Sequence, residues 1–203
     1  MKRIVLSLIA AATAFSSLAG ELSEKMSNFR EGALLLIEGI ANADKYALTD
    51  ASELLEKANP EELDNVSFSE SRTGALTDPL VLFTSGFCDT LRKNNFTLVP
   101  LNPLEQLRQI QGDVITVTRS LAPGAEAVFS FEGADSMQLV TACTTPSALQ
   151  TVITAEAGEI APAADAEGFT SQAVWNLPSD GASFSITVKN PTDKPLSFVI
   201  ALQ

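Results

Sequence analysis

The chain contains no histidine. That removes the Ser–His and Cys–His nucleophile pairs and every imidazole-ligated metal site. It has two cysteines, Cys88 and Cys143, and no CxxC, so a dithiol redox motif is missing. Basic residues are scarce: 13 Lys and Arg stand against 25 Asp and Glu, for a net charge of -12. Such a chain repels phosphate backbones and anionic lipid, which argues against nucleic-acid partners and membrane-surface adhesion. The charge argues for solubility. No Gly-Lys dipeptide is present, so no phosphate-cradling loop of the Walker type exists. No Ser-x-x-Lys occurs, which weakens a serine–lysine hydrolase. Aromatic residues are few, with one Trp (Trp175) and one Tyr (Tyr46). Beyond the first 20 residues no apolar run reaches transmembrane length.

What is present begins with an export signal. Lys2 and Arg3 form a charged start, Ile4 to Phe15 is a short apolar run, and Ser17-Leu18-Ala19 offers small residues to a signal peptidase. Residues 1–19 are therefore read as a signal peptide cleaved after Ala19, with Gly20 as a near alternative. No cysteine follows the cleavage point, so no lipid-anchor signal is expected, and the chain is expected to be periplasmic or secreted. The sequence closes on an expected strand, so no C-terminal anchor is expected.

Residues 20–63 read as a helical hairpin. Leu22, Met26, Phe29, Ala33, Leu36, Ile37 and Ile40 recur at spacings of three and four, weakly interrupted by Gly32 and Gly39. A second helix is expected from Asp50, with Glu53 three residues on, and Asn59-Pro60 ends it. The hairpin either packs on the rest of the chain or serves as a docking or dimerisation arm. Residues 64–113 read as a linker, to Thr77, followed by helices packing on the C-terminal domain. The first starts at Asp78-Pro79, and Gly112 stops the last. Arg92, Lys93 and Arg108 are the nearest approach to a basic patch.

From 114 to 203 the period changes to two. Strands are expected at Val114–Ser120, Ala127–Phe131, Met137–Thr144, Leu149–Glu156, Phe169–Leu177, Ser183–Lys189 and Leu196–Leu202. Pro123-Gly124, Thr145-Pro146-Ser147 and Pro178-Ser179-Asp180-Gly181 supply turns, and 157–168 reads as a long loop. In the last pair, Phe184, Ile186 and Val188 alternate with Ser183, Ser185 and Thr187. Leu196, Phe198, Ile200 and Leu202 alternate with a face made partly apolar by Val199 and Ala201, as for a strand covered on both sides. The fold class expected is α+β: N-terminal helices followed by a C-terminal antiparallel β-sandwich, jelly-roll-like, of about seven strands.

The order PGAEAVFSFEG, MQLVTACTT and DGASFSITVKNPTDKPLSFVIAL resembles the small prepeptidase C-terminal β-sandwich domains that follow bacterial secreted peptidases. The resemblance covers about residues 120–203 and rests on pattern. It implies a non-catalytic accessory module that aids secretion, stability or substrate contact.

Candidate chemistry is sparse. Cys88 and Cys143 are a disulfide candidate in an oxidising compartment. Such a bond would close a loop of about 55 residues and contribute about 4 kcal/mol by constraining the unfolded chain. The alternative is two separate buried thiols. Phe169 and Trp175 are weak ligand-stacking candidates, with a core tryptophan as the alternative. Carboxylates are plentiful (Glu61, Glu62, Asp64, Asp135, Glu156, Glu159, Asp165, Glu167, Asp180, Asp193), but no DxDxDG spacing occurs. Whether a metal binds is left open, no catalytic residue is assigned, and no cofactor is expected. The expected function is an exported non-catalytic β-sandwich that binds another envelope or secreted protein or a surface polymer, and that could self-associate. The alternatives are a carbohydrate-binding protein, or a hydrolase using paired carboxylates.

Overall fold

The structure is a computed structural model that describes residues 20–62, 68–70, 114–179 and 181–203. The signal-like segment, the helices expected between 78 and 113, Cys88 and Asp180 lie outside the described residues.

The first helix, α1 (Glu24–Asn42), starts where the Ser23 hydroxyl accepts from the Met26 N–H at 3.2 Å. Its inward face is the one that the apolar spacing marks: Met26, Phe29, Ala33, Leu36 and Ile37 are buried. Ala43 then adopts a left-handed conformation, and the second helix, α2 (Lys45–Ala58), follows at once. Its start corrects the expectation of Asp50. The cap is Asp44, whose Oδ1 accepts from Tyr46 N at 2.8 Å and Ala47 N at 3.3 Å, leaving Asp50 inside the helix. Asn59 closes α2 in a left-handed conformation, and Pro60 opens the first strand. The two helix glycines are contact points rather than interruptions. A Cβ on Gly32 would lie 2.9 Å from Leu55 Cγ, and one on Gly39 2.9 Å from Leu48 Cγ. Their missing side chains let the two helices approach closely.

All seven expected strands form, at shifted boundaries, and among the described residues four short ones join them. In chain order they are β1 (Pro60–Glu62), β2 (Phe68–Glu70), β3 (Val114–Leu121), β4 (Glu126–Gly133), β5 (Ser136–Cys143), β6 (Gln150–Ala155), β7 (Gly158–Ile160), β8 (Ala163–Ala164), β9 (Thr170–Asn176), β10 (Ala182–Lys189) and β11 (Leu196–Leu202). One sheet has the order β1-β3-β11-β5-β9-β8, the other β2-β4-β10-β6-β7. Within them the runs β3-β11-β5-β9 and β4-β10-β6-β7 have the strand order of an eight-stranded jelly roll. Its eighth strand, β7, falls in the segment expected to be a loop, as does β8. Residues 68–70, expected within a linker, instead pair antiparallel with β4. β1 pairs parallel with β3, so the sheets are not purely antiparallel.

The described residues form three layers. Between the sheets lies the larger core, built on Phe129, Leu139, Ile153, Ile186, Phe198 and Ile200, all fully buried. Phe129 and Phe198 meet edge to face across it, with ring centroids 6.2 Å apart. A second core lies on the other side of the six-stranded sheet, where α1 and α2 cover Val114, Val140, Ala142, Val199 and Ala201. The doubly apolar pattern of β11 is thus explained: Phe198 and Ile200 face the sandwich, Val199 and Ala201 the helices. No helix among the described residues is long and apolar enough to cross a membrane.

Candidate functional site: a cleft beside the edge of the helix-covered sheet

The six-stranded sheet ends at β8, a two-residue edge strand paired to β9 through Ala163–Gln172 and Ala164–Ser171. Asp165 turns the chain back. Its Oδ1 accepts from the N–H groups of Glu167 (2.8 Å) and Gly168, and its Oδ2 from the N–H (2.6 Å) and the hydroxyl (2.5 Å) of Thr170. Partial burial alone would discourage ionisation of this carboxyl. The donated hydrogen bonds, led by the Thr170 hydroxyl, outweigh it and hold the Asp165 pKa below the ordinary aspartate value. The group is thereby occupied in bracing its own turn.

Opposite this turn, α1 contributes Arg30. It neighbours the buried Phe29 on the helix and reaches over the sheet edge, where its Nη1 donates to Gln172 Oε1. Its Nε is buried and has no hydrogen-bond partner among the described residues. A buried donor left unmatched is costly, and a guanidinium stays charged at all ordinary pH. Arg30, Ala163, Ala164, Asp165, Thr170 and Gln172 line a cleft of about 150 Å3 that is open to solvent. The alanines keep its rim low.

The sequence does not single out Arg30 or Gln172. On a helical wheel Arg30 sits one position off the apolar stripe, as many solvated arginines do. Asp165 stands in the sequence as one of many acids, and its role depends on the turn geometry.

The residues that the sequence does single out are placed apart from one another. Trp175 is 6% exposed and lies in the sandwich core, edge-on to Phe184 with centroids 5.3 Å apart. Its indole Nε1 is buried without a partner among the described residues. Phe169 is half-buried against the helix-side core, so the two rings lie on opposite faces of the sheet. Cys143 is a buried thiol whose Sγ donates to the Thr145 carbonyl at 3.0 Å. Burial pushes this thiol up, and contacts with the backbone of Thr145, Leu149 and Ala148 offset that only in part. It is a poor nucleophile at neutral pH. Glu62, one of the many carboxylates, is largely buried and pairs with Arg119 at 3.7 Å. Among the described residues, no group of three or more Cys, Asp or Glu side chains is placed to hold a metal ion.

No family model matches the chain, and no curated protein matches it. Several solved structures are similar to it in fold. One is a periplasmic inhibitor of g-type lysozyme from Aeromonas hydrophila, at 12% identity and a TM-score of 0.33, covering 44% of this chain and 84% of that one. Another is Xyl-CBM35, solved with a glucuronic-acid-containing disaccharide, at 15% identity and a TM-score of 0.23, covering 40% and 66%. A third is the pre-peptidase C-terminal domain of a collagenase from Bacillus anthracis, at 9% identity and a TM-score of 0.30, covering 71% and 94%.

Proposed function

We propose that the chain is an exported, non-catalytic β-sandwich protein that binds another envelope or secreted protein, or a surface polymer, through the cleft beside β8. The observation that carries the reading is Arg30: a charged side chain with an unmatched buried Nε, set in a cleft open to solvent. The export half rests on the signal-like residues 1–19. Gly20 packs closely on the fold, since a Cβ there would come within 2.9 Å of the Val174 side chain. With cleavage after Ala19, the first residue of the mature chain would be part of the fold. Periplasm or the extracellular medium is the compartment that follows.

The test is a crosslinking recovery from the native envelope with the full mature chain as bait, read by mass spectrometry. Deleting the helices is not a clean control, since it would strip cover from Val140, Ala142, Val199 and Ala201. A reproducible partner supports the reading. Recovery of nothing but the bait counts against it, and recovery of glycan alone would move the assignment to carbohydrate binding.

A further inference from the structure

We propose that the cleft takes the C-terminal carboxylate of a peptide chain, whose last residues lie along the open edge of β8. The inference rests on the protein-binding reading above and gives it a chemistry.

The space and the donors choose a carboxylate. A cleft of about 150 Å3 holds a terminal group, not a whole ligand. A planar guanidinium matches a carboxylate with two parallel hydrogen bonds. Arg30 lines the cleft, and only one of its terminal N–H groups is given to Gln172, so others are left to meet a ligand. The ionised Asp165 on the rim opposes any anion, and opposes a phosphate dianion about twice as strongly as a carboxylate.

The strand edge chooses a peptide. Asp165 N donates to Thr170 O at 2.9 Å, so Asp165–Thr170 is a hydrogen-bonded pair of the antiparallel ladder. By alternation Ala163–Gln172 is another, and the N–H and C=O of Ala164 between them point away from β9. β8 is the last strand of its sheet, and both of its alanines are exposed. An extended peptide can pair with Ala164 while its terminal carboxylate turns in to Arg30. The lining has no aromatic ring on which a sugar acid would stack.

The experiment uses the full mature chain and an array of hexapeptides displayed with free C-termini, each duplicated as its C-terminal amide. Acid-form hits are remeasured by fluorescence anisotropy. The expected result is binding that weakens at least about tenfold on amidation, and by a similar factor in Arg30→Ala. Gln172→Glu is the second variant. It supplies Arg30 with a carboxylate from its own sheet, should keep the melting temperature, and should abolish peptide binding. Ala164→Pro, which removes the edge N–H, should weaken acid and amide forms alike. Equal binding of acid and amide overturns the proposal, as does full binding by a folded Gln172→Glu. An array without hits overturns it, and so does capture of a glucuronic-acid disaccharide in place of peptides. Envelope recovery that persists in both variants would leave the protein-binding reading standing and remove only the cleft from it.

Discussion

The two sheets of this sandwich differ in what lies outside them. The six-stranded sheet presents Val140, Ala142, Val199 and Ala201 outward, and two helices cover them. The outward row of the five-stranded sheet has Ser130, Ser185 and Thr154 side by side on β4, β10 and β6. Ser130 and Thr154 are exposed. Both sheets bury their inner faces in one core, so the difference lies in the outward positions alone. Consecutive strands β10 and β11 carry it in compact form: β10 alternates strictly, and β11 is apolar on both faces. A strand that gives up alternation reports a third layer.

The sharpest way to break the comparison is to put the same charge on each outer face. Val199→Lys places an ammonium beneath the helices, in an apolar cluster, and should cost about 3 kcal/mol or more. Ser185→Lys places it among hydroxyls at the open face of an acidic protein and should change stability by no more than about 0.5 kcal/mol. Urea titrations of the two variants check this. Equal losses would mean that the five-stranded sheet is covered too, and the contrast would fail.

A smaller effect is expected where the chain passes from one sheet to the other. Asn190 follows β10 and is fully buried. Its Nδ2 donates to the carbonyls of Leu121 (3.1 Å), Ala122 (3.1 Å) and Lys194 (2.7 Å), and its Oδ1 accepts from Thr192 N at 3.0 Å. One side chain thus joins the β10–β11 crossing to the β3–β4 crossing. Asn190→Ala removes the bonds that tie the two crossings together, although the Ala122 carbonyl keeps the Ala125 N–H and the Lys194 carbonyl keeps the Thr192 hydroxyl, and should cost about 2 kcal/mol in the same titrations. Asn190→Asp should cost as much or more, because a carboxylate cannot donate to those carbonyls. If Asn190→Ala melts like the parent protein, the sheets are held in register by their strands alone.

Legibility in the sequence follows the range of the interactions. Period-two alternation is local and strong, so the seven long strands, and the double cover on β11, can be read directly. Strands of two or three residues hold too little pattern. β7 and β8 become strands only because β6 and β9 lie beside them. The start of α2 is misread because Asp50 and Glu53 imitate a cap. The real cap, Asp44, depends on a tight turn after Ala43 that no periodicity marks. The glycines of α1 look like weaknesses until the partner helix is in place. The cleft is the least legible part, since it joins Arg30 to residues 163–172 through tertiary packing. The aromatic rings offered as stacking candidates are divided between two cores although their spacing of six would put both on one face of a strand: Phe169 precedes β9, and the strand's alternation does not extend to that residue.

The smallest expected effect tests whether the cleft's rim is as braced as its geometry implies. The Asp165 carboxyl has a lower pKa in the folded chain than the ordinary aspartate value of about 3.9. Folding therefore favours the ionised form. Its contribution is complete above the unfolded value and is lost as pH falls through the lower folded value. Asp165→Asn keeps an acceptor for one or two of the four donors and removes the charge. The variant should be slightly less stable than the parent at neutral pH, and the gap should close as pH falls through the lowered folded value and the parent's own carboxyl takes up its proton. Melting temperatures of both proteins between pH 7 and pH 2 provide the measurement. The segment from β8 to β9 should loosen in the variant, seen as faster amide exchange at Gly168 and Thr170, whose N–H groups the carboxylate holds. A gap that stays constant with pH would mean that the turn is held by its shape alone, and that the negative charge on the rim of the cleft has another purpose than bracing.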